Sequence, residues 1–410
     1  MFPAFFQYIP TADSFGQVWH NDGQMLSEGR TMKNTKLKLA VLMISMLQPI
    51  IGAANSVLSE IRKAFGSISE SSVQQLVSIP FLVTVPATIL AGRLSLRFPK
   101  KKLLLFGIGL TTAAGLFPVF VHDFTLIFIS RLFVGVGVGF VIPFMTGLIA
   151  DFFHGHERDH LFGLQGTAVN LGAVLFFLIG GILGGINWHY NFLVFLIGII
   201  IFPMVLLFLP EQKTAEPQAQ KNEPFIKKIF FICLAMLGIH TIANTFSLNL
   251  SFVIAESRIG DASITGTIIA FTSLGGLLTG LLYQRILDLA RRFVVAIAIF
   301  LLAAGLFIAS LSYSIALMIV AAFFVGCGSA LIVAAYLTKI SDRVSGQSRT
   351  VAMAFLLAAV SIGVFVSPIY TMLIKLLPFF TQSRSIFSIG SITLAVFGLG
   401  SVIFTKARPS

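Results

Sequence analysis

The chain has 410 residues, a mean hydropathy of +0.94 and only 11% charged residues, too few to cover the surface of a water-soluble globule. Its net charge of +12 is scattered between apolar runs and forms no single basic face, which argues against a nucleic-acid partner. The apolar runs are continuous, so a barrel of alternating strands is excluded as well.

Residues 1–31 do not match the rest of the chain, and MKNTKLKLAVLM from Met32 looks like a natural start. In a bacterial source, codons for Glu28-Gly29 can be purine-rich enough to be a translated ribosome-binding site. The alternative is a flexible cytoplasmic tail over residues 1–37. No short apolar region with a small-residue cleavage site opens the chain, so no removable signal peptide is expected.

Twelve apolar runs follow, each near the ~20 residues that a helix needs to cross a bilayer. They are 39–59, 72–92, 103–121, 125–150, 161–186, 191–209, 229–253, 264–283, 293–311, 315–338, 351–374 and 386–404, spans 1 to 12 below. Arg131 is the one Lys, Arg, Asp or Glu inside them.

Span 1 carries Ser45, Gln48, Gly52, Asn55 and Ser59, spaced 3, 4, 3 and 4, which puts them on one helical face. In hydrocarbon a polar side chain must face protein or a water-filled cavity, so this stripe predicts a cavity wall. Interhelical hydrogen bonding without a ligand is the plainer reading of the same stripe. Between spans 4 and 5, DFFHGHERDH holds His154, His156 and His160; a solvated loop is the default there, ahead of metal binding. Gln165 and Asn170 in span 5 are equally compatible with cavity lining and helix packing.

The stretch 210–228, PEQKTAEPQAQKNEPFIKK, reads as a cytoplasmic linker and leaves six spans on each side, bundles 38–209 and 229–405 with a short tail at 406–410. Span 7 shows His240, Asn244, Ser247 and Ser251, spaced 4, 3 and 4. Cys233 and Cys327 lie inside spans and suggest neither a disulfide nor a metal knuckle. The Lys and Arg distribution places both termini in the cytoplasm: inner segments hold 22 of the 28, and outer loops hold Arg62, Lys63, Arg258, Lys375 and Arg384.

The two halves repeat. A shift of 191 carries Gly135 onto Gly326, Gly137 onto Gly328, Asp151 onto Asp342, Gly155 onto Gly346, Arg158 onto Arg349 and Gly172 onto Gly363. Near span 2 the shift is 188, with Gly92 on Gly280 and Arg97 on Arg285. A shift of 192 carries Gln48 onto His240, Asn55 onto Ser247 and Ser59 onto Ser251. Six spans per half give both halves the same direction of entry, a parallel repeat suited to rocking about a central site.

These residues resemble the major facilitator superfamily over nearly the whole chain, and within it the twelve-span drug:proton antiporters. GRLSLRFPKK from Gly92 is similar to the family's Gly-x-x-x-Asp-Arg-x-Gly-Arg-Arg loop: Gly92 and Arg97 match, Lys100 and Lys101 keep the charge, and Leu96 and Pro99 replace Asp and Gly. Arg131 and Gly135 match Arg-x-x-x-Gly in span 4. In span 5 the antiporters' Gly-Pro-x-x-Gly-Gly run keeps Gly180-Gly181, with Phe176-Phe177 for Gly-Pro, while Pro368 stands at the equivalent of Phe177 in span 11. The resemblance implies an all-α integral membrane protein of twelve helices in two pseudo-symmetric six-helix bundles. It implies a cavity lined by spans 1, 4, 7 and 10, and a gating role for Gly92, Arg97, Asp151, Arg158, Asp342 and Arg349. With the acidic anchor at Leu96 missing, Asp151 is the expected partner of Arg97.

No span contains an acid, so Arg131 is expected to be held by Gln48 or Asn55, by Glu60, or by substrate. Its repeat partner is Ala322, which suggests that packing does not require it. Arg131, Gln48, Asn55, His240 and Asn244 are therefore the expected substrate or coupling residues. His240 is the candidate proton site, against a neutral, satisfied histidine. The resemblance gives Arg131 a part in proton coupling or substrate contact. The reading is a monomeric secondary transporter of the plasma membrane that uses protons and no cofactor, exports a small amphiphile, neutral or anionic, and contacts the lipid bilayer. An importer or exchanger of an organic anion is the alternative on the same fold, and a membrane-embedded enzyme the rival from another class. No phosphate-binding Gly-x-x-x-x-Gly-Lys loop is present to use ATP.

Overall fold

The computed structural model describes residues 35–211, 226–344, 347–377 and 382–406. Most of the expected leading tail and linker, Gly346, and all but the first residue of the closing tail lie outside the described residues.

The described residues form helices and no strands. Span 1 is two pieces, Thr35–Ser45 and Gln48–Ala64, bent by 41°. Spans 2 to 6 are Glu70–Leu94, Lys100–Val119, Phe124–Phe152, Gly155–Ile186 and Trp188–Phe208. Span 7 runs over Ile226–Ala243 and Thr245–Ser257. Spans 8 to 12 are Ala262–Ala290, Val294–Leu311, Ile315–Arg343, Gln347–Lys375 and Ser383–Lys406. Each is long and apolar enough to cross a membrane, and side chains mark several starts. Ser69 accepts from the Ser72 N–H ahead of span 2, Asp123 from the Leu126 N–H ahead of span 4, and Asn187 from the His189 N–H ahead of span 6.

Twelve crossings bring Thr35, Glu211, Ile226 and Lys406 to one side, called the linker end; the opposite side is the far end. The interior is two hydrophobic cores. One is built from residues of spans 1 to 6, joined by Leu248, Phe252 and Ala262. The other is built from spans 7 to 12, joined by Ala173 and Phe177 of span 5. Each half thus lends a few side chains to the other's core.

The repeat in the sequence is a repeat in the packing. A Cβ on Gly137 would lie 2.9 Å from the Gly107 carbonyl oxygen, and one on Gly328 would lie 2.8 Å from that of Ala298. Gly172 sits equally close to the Met46 carbonyl, and Gly363 to that of Leu237. Ala298 and Leu237 are the partners of Gly107 and Met46 under the same 191-residue shift. The pairs of the other shift behave alike too: Gly92 and Gly280 have open space around them, so neither is a packing residue.

Candidate functional site

Spans 1 and 7, predicted to face one another, are both interrupted near their middles: span 1 bends by 41° between Ser45 and Gln48, and span 7 carries a single turn residue at Asn244. Pro49 has no N–H for the Ser45 carbonyl, and its ring crowds the preceding turn. The chain there winds as a ten-residue 3-10 segment, Gln48–Val57. Runs of that length are uncommon and mark hinges. In span 7 the break is at Asn244, whose Nδ2 donates 2.9 Å to the His240 carbonyl, while Thr245 Oγ1 donates 2.6 Å to that of Ile242. Such side-chain bonds to the preceding turn bend helices. Gly52, the partner of Asn244 under the 192-residue shift, lies within the 3-10 segment.

Gln48 opens that segment and is exposed. Asn55 is 7% exposed and His240 6%, and Asn55 Oδ1 and His240 Nε2 have no hydrogen-bond partner among the described residues. Unpaired polar atoms this deep are costly unless a ligand or water meets them. Asn55 and the Phe177 ring both pack on Gly52, whereas His240 packs on Gly363 of span 11. In span 5, Gln165 donates to Thr146 Oγ1 and Asn170 to its own Gly166 carbonyl.

At the far end the halves are joined by a polar seam. Ser59 and Ser251, related by the repeat, bond to each other: their hydroxyls are 2.8 Å apart, and the Ser59 N–H donates 3.0 Å to Ser251 Oγ. The pseudo-twofold axis therefore passes between them. Gln74 Nε2 of span 2 donates 2.9 Å to Asn249 Oδ1 of span 7, and Asn249 Nδ2 donates 3.2 Å to Thr371 Oγ1 of span 11. Lys375 closes the tip of span 11 onto Glu70 at the start of span 2. Beside this, spans 5 and 8 meet backbone to backbone: a Cβ on Gly181 would lie 2.9 Å from both Gly266 Cα and the Ala262 carbonyl oxygen.

Arg131 does not join this group. It is 1% exposed, and its guanidinium donates 3.1 Å to the Ala114 carbonyl and 3.3 Å to that of Gly115. The Phe192 and Phe195 rings flank it at 4.9 and 5.3 Å. The partners expected from the sequence were Gln48, Asn55 or Glu60; those found belong to spans 3 and 6. The physical reason is Pro118. It lacks the N–H that would serve the Ala114 carbonyl, and span 3 ends there in a 3-10 turn, Phe117–Val119. Arg131 supplies the missing donor.

At the linker end, Asp151 pairs with Lys100 Nζ at 2.6 Å, while Arg97 is exposed. The expected Arg97–Asp151 pair is thus replaced by one from three residues on, where Lys100 opens span 3. Arg158 is half-buried, Asp342 is exposed, and Arg349 Nε donates 3.1 Å to the Val344 carbonyl, capping span 10. Among the described residues no group of three or more His, Cys, Asp or Glu could hold a metal ion.

The sequence reading missed Asn191. It is fully buried, and its Nδ2 donates to the carbonyls of Ala53 and Gly180 and to Ser56 Oγ, so span 6 grips the 3-10 segment of span 1. It missed Gln74 and Asn249 as well. A lone amide in an apolar run was the available signal for both.

A family model described as Major Facilitator Superfamily matches residues 39–250 and 229–410. The Quinolone resistance protein NorA of Staphylococcus aureus is 26% identical over 229 residues, 53% of this chain and 55% of that protein. In another strain the match is 25% over 193 residues, 44% of this chain and 47% of the relative. An uncharacterized MFS-type transporter of Mycobacterium tuberculosis is 27% identical over 180 residues, 42% of this chain and 30% of that one. The matched stretch spans about half the length of the quinolone resistance proteins. Among solved structures, a D-xylose-proton symporter superposes with a TM-score of 0.70 at 16% identity, covering 92% of this chain and 99% of that one. A bacterial homolog of the human lysosomal transporter Spinster gives 0.69 at 15%, covering 91% and 97%. At these identities the structural likeness is one of fold.

Proposed function

Because the chain belongs to the Major Facilitator Superfamily, and so is a multi-pass membrane transporter rather than an enzyme, we propose that it exports a small neutral or anionic amphiphile across a bacterial plasma membrane in exchange for protons. The observation that carries the reading is the seam. Two separately cored halves touch along a polar line at one end, and the two broken helices run from that line into the middle of the molecule. Parting that line and closing the other end would expose the central polar groups to each side in turn, which is alternating access. The printed name of the quinolone resistance relatives supports outward drug movement.

The charge class follows from what stands in the spans. Gln48, Asn55, Asn244 and His240 offer amides and an imidazole, and the apolar runs hold no carboxylate that could compensate a buried cation. The excess of Lys and Arg at the linker end supports a cytoplasmic position for that end and for both termini. The transporter works as a monomer, with the proton as coupling ion.

The test uses everted vesicles energised to an acid interior and read by a pH-reporting dye, with panels of cationic, neutral and anionic amphiphiles. Dye recovery on adding neutral or anionic compounds, specific to vesicles carrying the protein and reduced in Asn55→Ala or His240→Gln, is the expected result. Recovery with cations alone overturns the charge class. No recovery with any panel overturns proton antiport.

A further inference from the structure

Two carboxylates that the sequence reading left outside the site stand at the far-end seam. Asp123, Asp151, Glu157, Glu256, Asp261 and Asp288 all bond within their own half. Glu70 differs, because its partner Lys375 is on the other half. Glu60 differs too, one serine removed. Its Oε2 accepts from Ser59 Oγ at 2.9 Å, and Ser59 is the residue bonded to Ser251.

The hydrogen positions follow from those distances. Ser251 Oγ accepts the Ser59 N–H, so its own hydrogen is free to go to Ser59 Oγ or to the Ser56 carbonyl at 3.3 Å. With Glu60 ionised, Ser59 gives its hydrogen to the carboxylate and turns a lone pair to Ser251. The chain Ser251 to Ser59 to Glu60 is then polarised in one direction, ending on a charge, which makes its bonds the strong kind. Ser59 and Ser251 are 4% and 1% exposed, so water does not compete for them.

Lys375 is placed to let go of Glu70 without being stranded. Its Nζ also donates 3.0 Å to Ser383 Oγ, and Ser383 donates 2.6 Å to Glu256. The C-terminal half thus keeps the lysine when Glu70 leaves.

We propose that Glu60 and Glu70 form a proton-linked latch that holds the far end closed, and that acid on that side releases it. A proton taken from far-side water neutralises each carboxylate. Glu70 then loses its attraction for Lys375, and Glu60 no longer anchors the serine chain. A proton bound better by one state than by the other shifts the population between them, and these two carboxylates exchange partners when the halves part. The proposal rests on the alternating-access reading above, but not on the direction or charge of the cargo.

Other charged groups face the latch. Arg62 and Lys63 share the helix of Glu60, with Arg62 donating 2.6 Å to the Gly66 carbonyl. Arg258 ends span 7, and Arg384 of span 12 is turned to Ser257 and Ser312. Asp261 sits beside Gly185 and caps its own helix. His189 lines the same hollow of about 360 Å³ as Glu60, and the His122 ring lies 4.4 Å from it. That histidine pair is the rival source of pH dependence.

The experiment measures distances by pulsed electron resonance between spin labels on Ser67→Cys and Gln382→Cys, both exposed at the far end. The protein is full-length, in nanodiscs, with Cys233→Ala and Cys327→Ala, at about pH 8 and about pH 4, the acid end set just below the ordinary glutamate range. The expected result is that acid raises the long-distance population about fivefold. Glu70→Gln and Lys375→Gln should show part of that population already at the higher pH, Glu60→Gln/Glu70→Gln should be flat with pH, and the swap Glu70→Lys/Lys375→Glu should restore closure. A double Gln variant that keeps the parent's pH response overturns the latch. So does loss of that response in His122→Gln/His189→Gln. No cargo is needed, so a failed dye assay with an intact pH response sinks the export reading alone.

Discussion

Each half of the molecule carries one buried arginine near its far end, and the two arrive from different helices. In the N-terminal half Arg131 comes from span 4 and serves the Ala114 and Gly115 carbonyls at the end of span 3. In the C-terminal half Arg384 comes from the start of span 12. It serves the Ser312 carbonyl just past span 9, donates 2.6 Å to Ser257 Oγ, and lies 3.8 Å over the Tyr313 ring. Both reach carbonyls at the end of the third helix of their half, and both rest on aromatic faces. A register shift through the repeat pairs Arg131 with Ala322 and so conceals this. A residue missing from the aligned position of a repeat can be replaced from elsewhere in the fold, so its absence there says nothing against a packing role.

The largest expected effect breaks that comparison at its more buried member. Arg131→Ala strands two carbonyls and empties the space between two phenylalanine rings, at a cost of about 3 kcal/mol. Arg384→Ala, nearer the surface and on one ring, costs about 2 kcal/mol. Thermal unfolding of the purified proteins in one detergent compares them. Transport should fall in step with folded protein in both. If Arg131→Ala melts like the parent and yet moves nothing, its place is in coupling and the parallel with Arg384 fails.

Next comes the seam against the linker side of the same helix. Gly266 of span 8 faces Gly181 at backbone contact, whereas Gly280, fourteen residues on in sequence (266 to 280), has open space. Gly266→Ala adds a methyl where only hydrogen fits and costs about 1–3 kcal/mol of the far-closed state. In the spin-label experiment it should raise the long-distance population at neutral pH by about fivefold or more. Gly280→Ala should leave it unchanged. Equal behaviour of the two variants would mean that spans 5 and 8 do not part during transport.

How much of this was legible in the sequence depends on distance along the chain. The spans were, because hydropathy is a local property, and so were the glycine contacts, because Gly137 and Gly328 repeat at a fixed shift with their partners. The Ser59–Ser251 bond was half visible, as the matching ends of two polar stripes. The bond from Gln74 to Asn249 was not, since no spacing links span 2 to span 7. Glu70, Lys375 and Arg384 were legible only as charges outside the spans. For Arg131 it was the partners that the sequence hid, for a related reason. Its partners are backbone carbonyls, which no residue type announces, although Pro118 marked where they would be left unpaired.

Spans 1 and 7 give a smaller effect. Pro49 accounts for the 3-10 winding of span 1, and span 7, which has no proline, is interrupted only at Asn244. Pro49→Ala removes that cause. Ten residues rewound as α-helix would shorten the segment by about 5 Å, from ~2.0 to ~1.5 Å of rise per residue. That displaces Ser59 from Ser251. Asn191 opposes the change through its bonds to Ala53 and Ser56. Far-end opening should therefore increase modestly in Pro49→Ala, and further in Pro49→Ala/Asn191→Leu.

The smallest effect lies at the linker end, where the halves again differ. Asp151 is paired with Lys100, while its repeat partner Asp342 is exposed. The Lys100 and Asp151 side chains are themselves 19% and 32% exposed, so solvent screens the pair, and Asp151→Asn should cost no more than about 0.5 kcal/mol. Asp342→Asn and Arg97→Gln should cost less still. A double-mutant cycle over Lys100→Gln and Asp151→Asn isolates the pair. Transport separates stability from gating: a loss of rate in Arg97→Gln without a loss of stability would mean that Arg97 takes Asp151 from Lys100 when the linker end closes. Arg97 lies in the short connection three positions ahead of Lys100, the first residue of span 3 (97 and 100), so that exchange needs a turn of the connection and no movement of the helix.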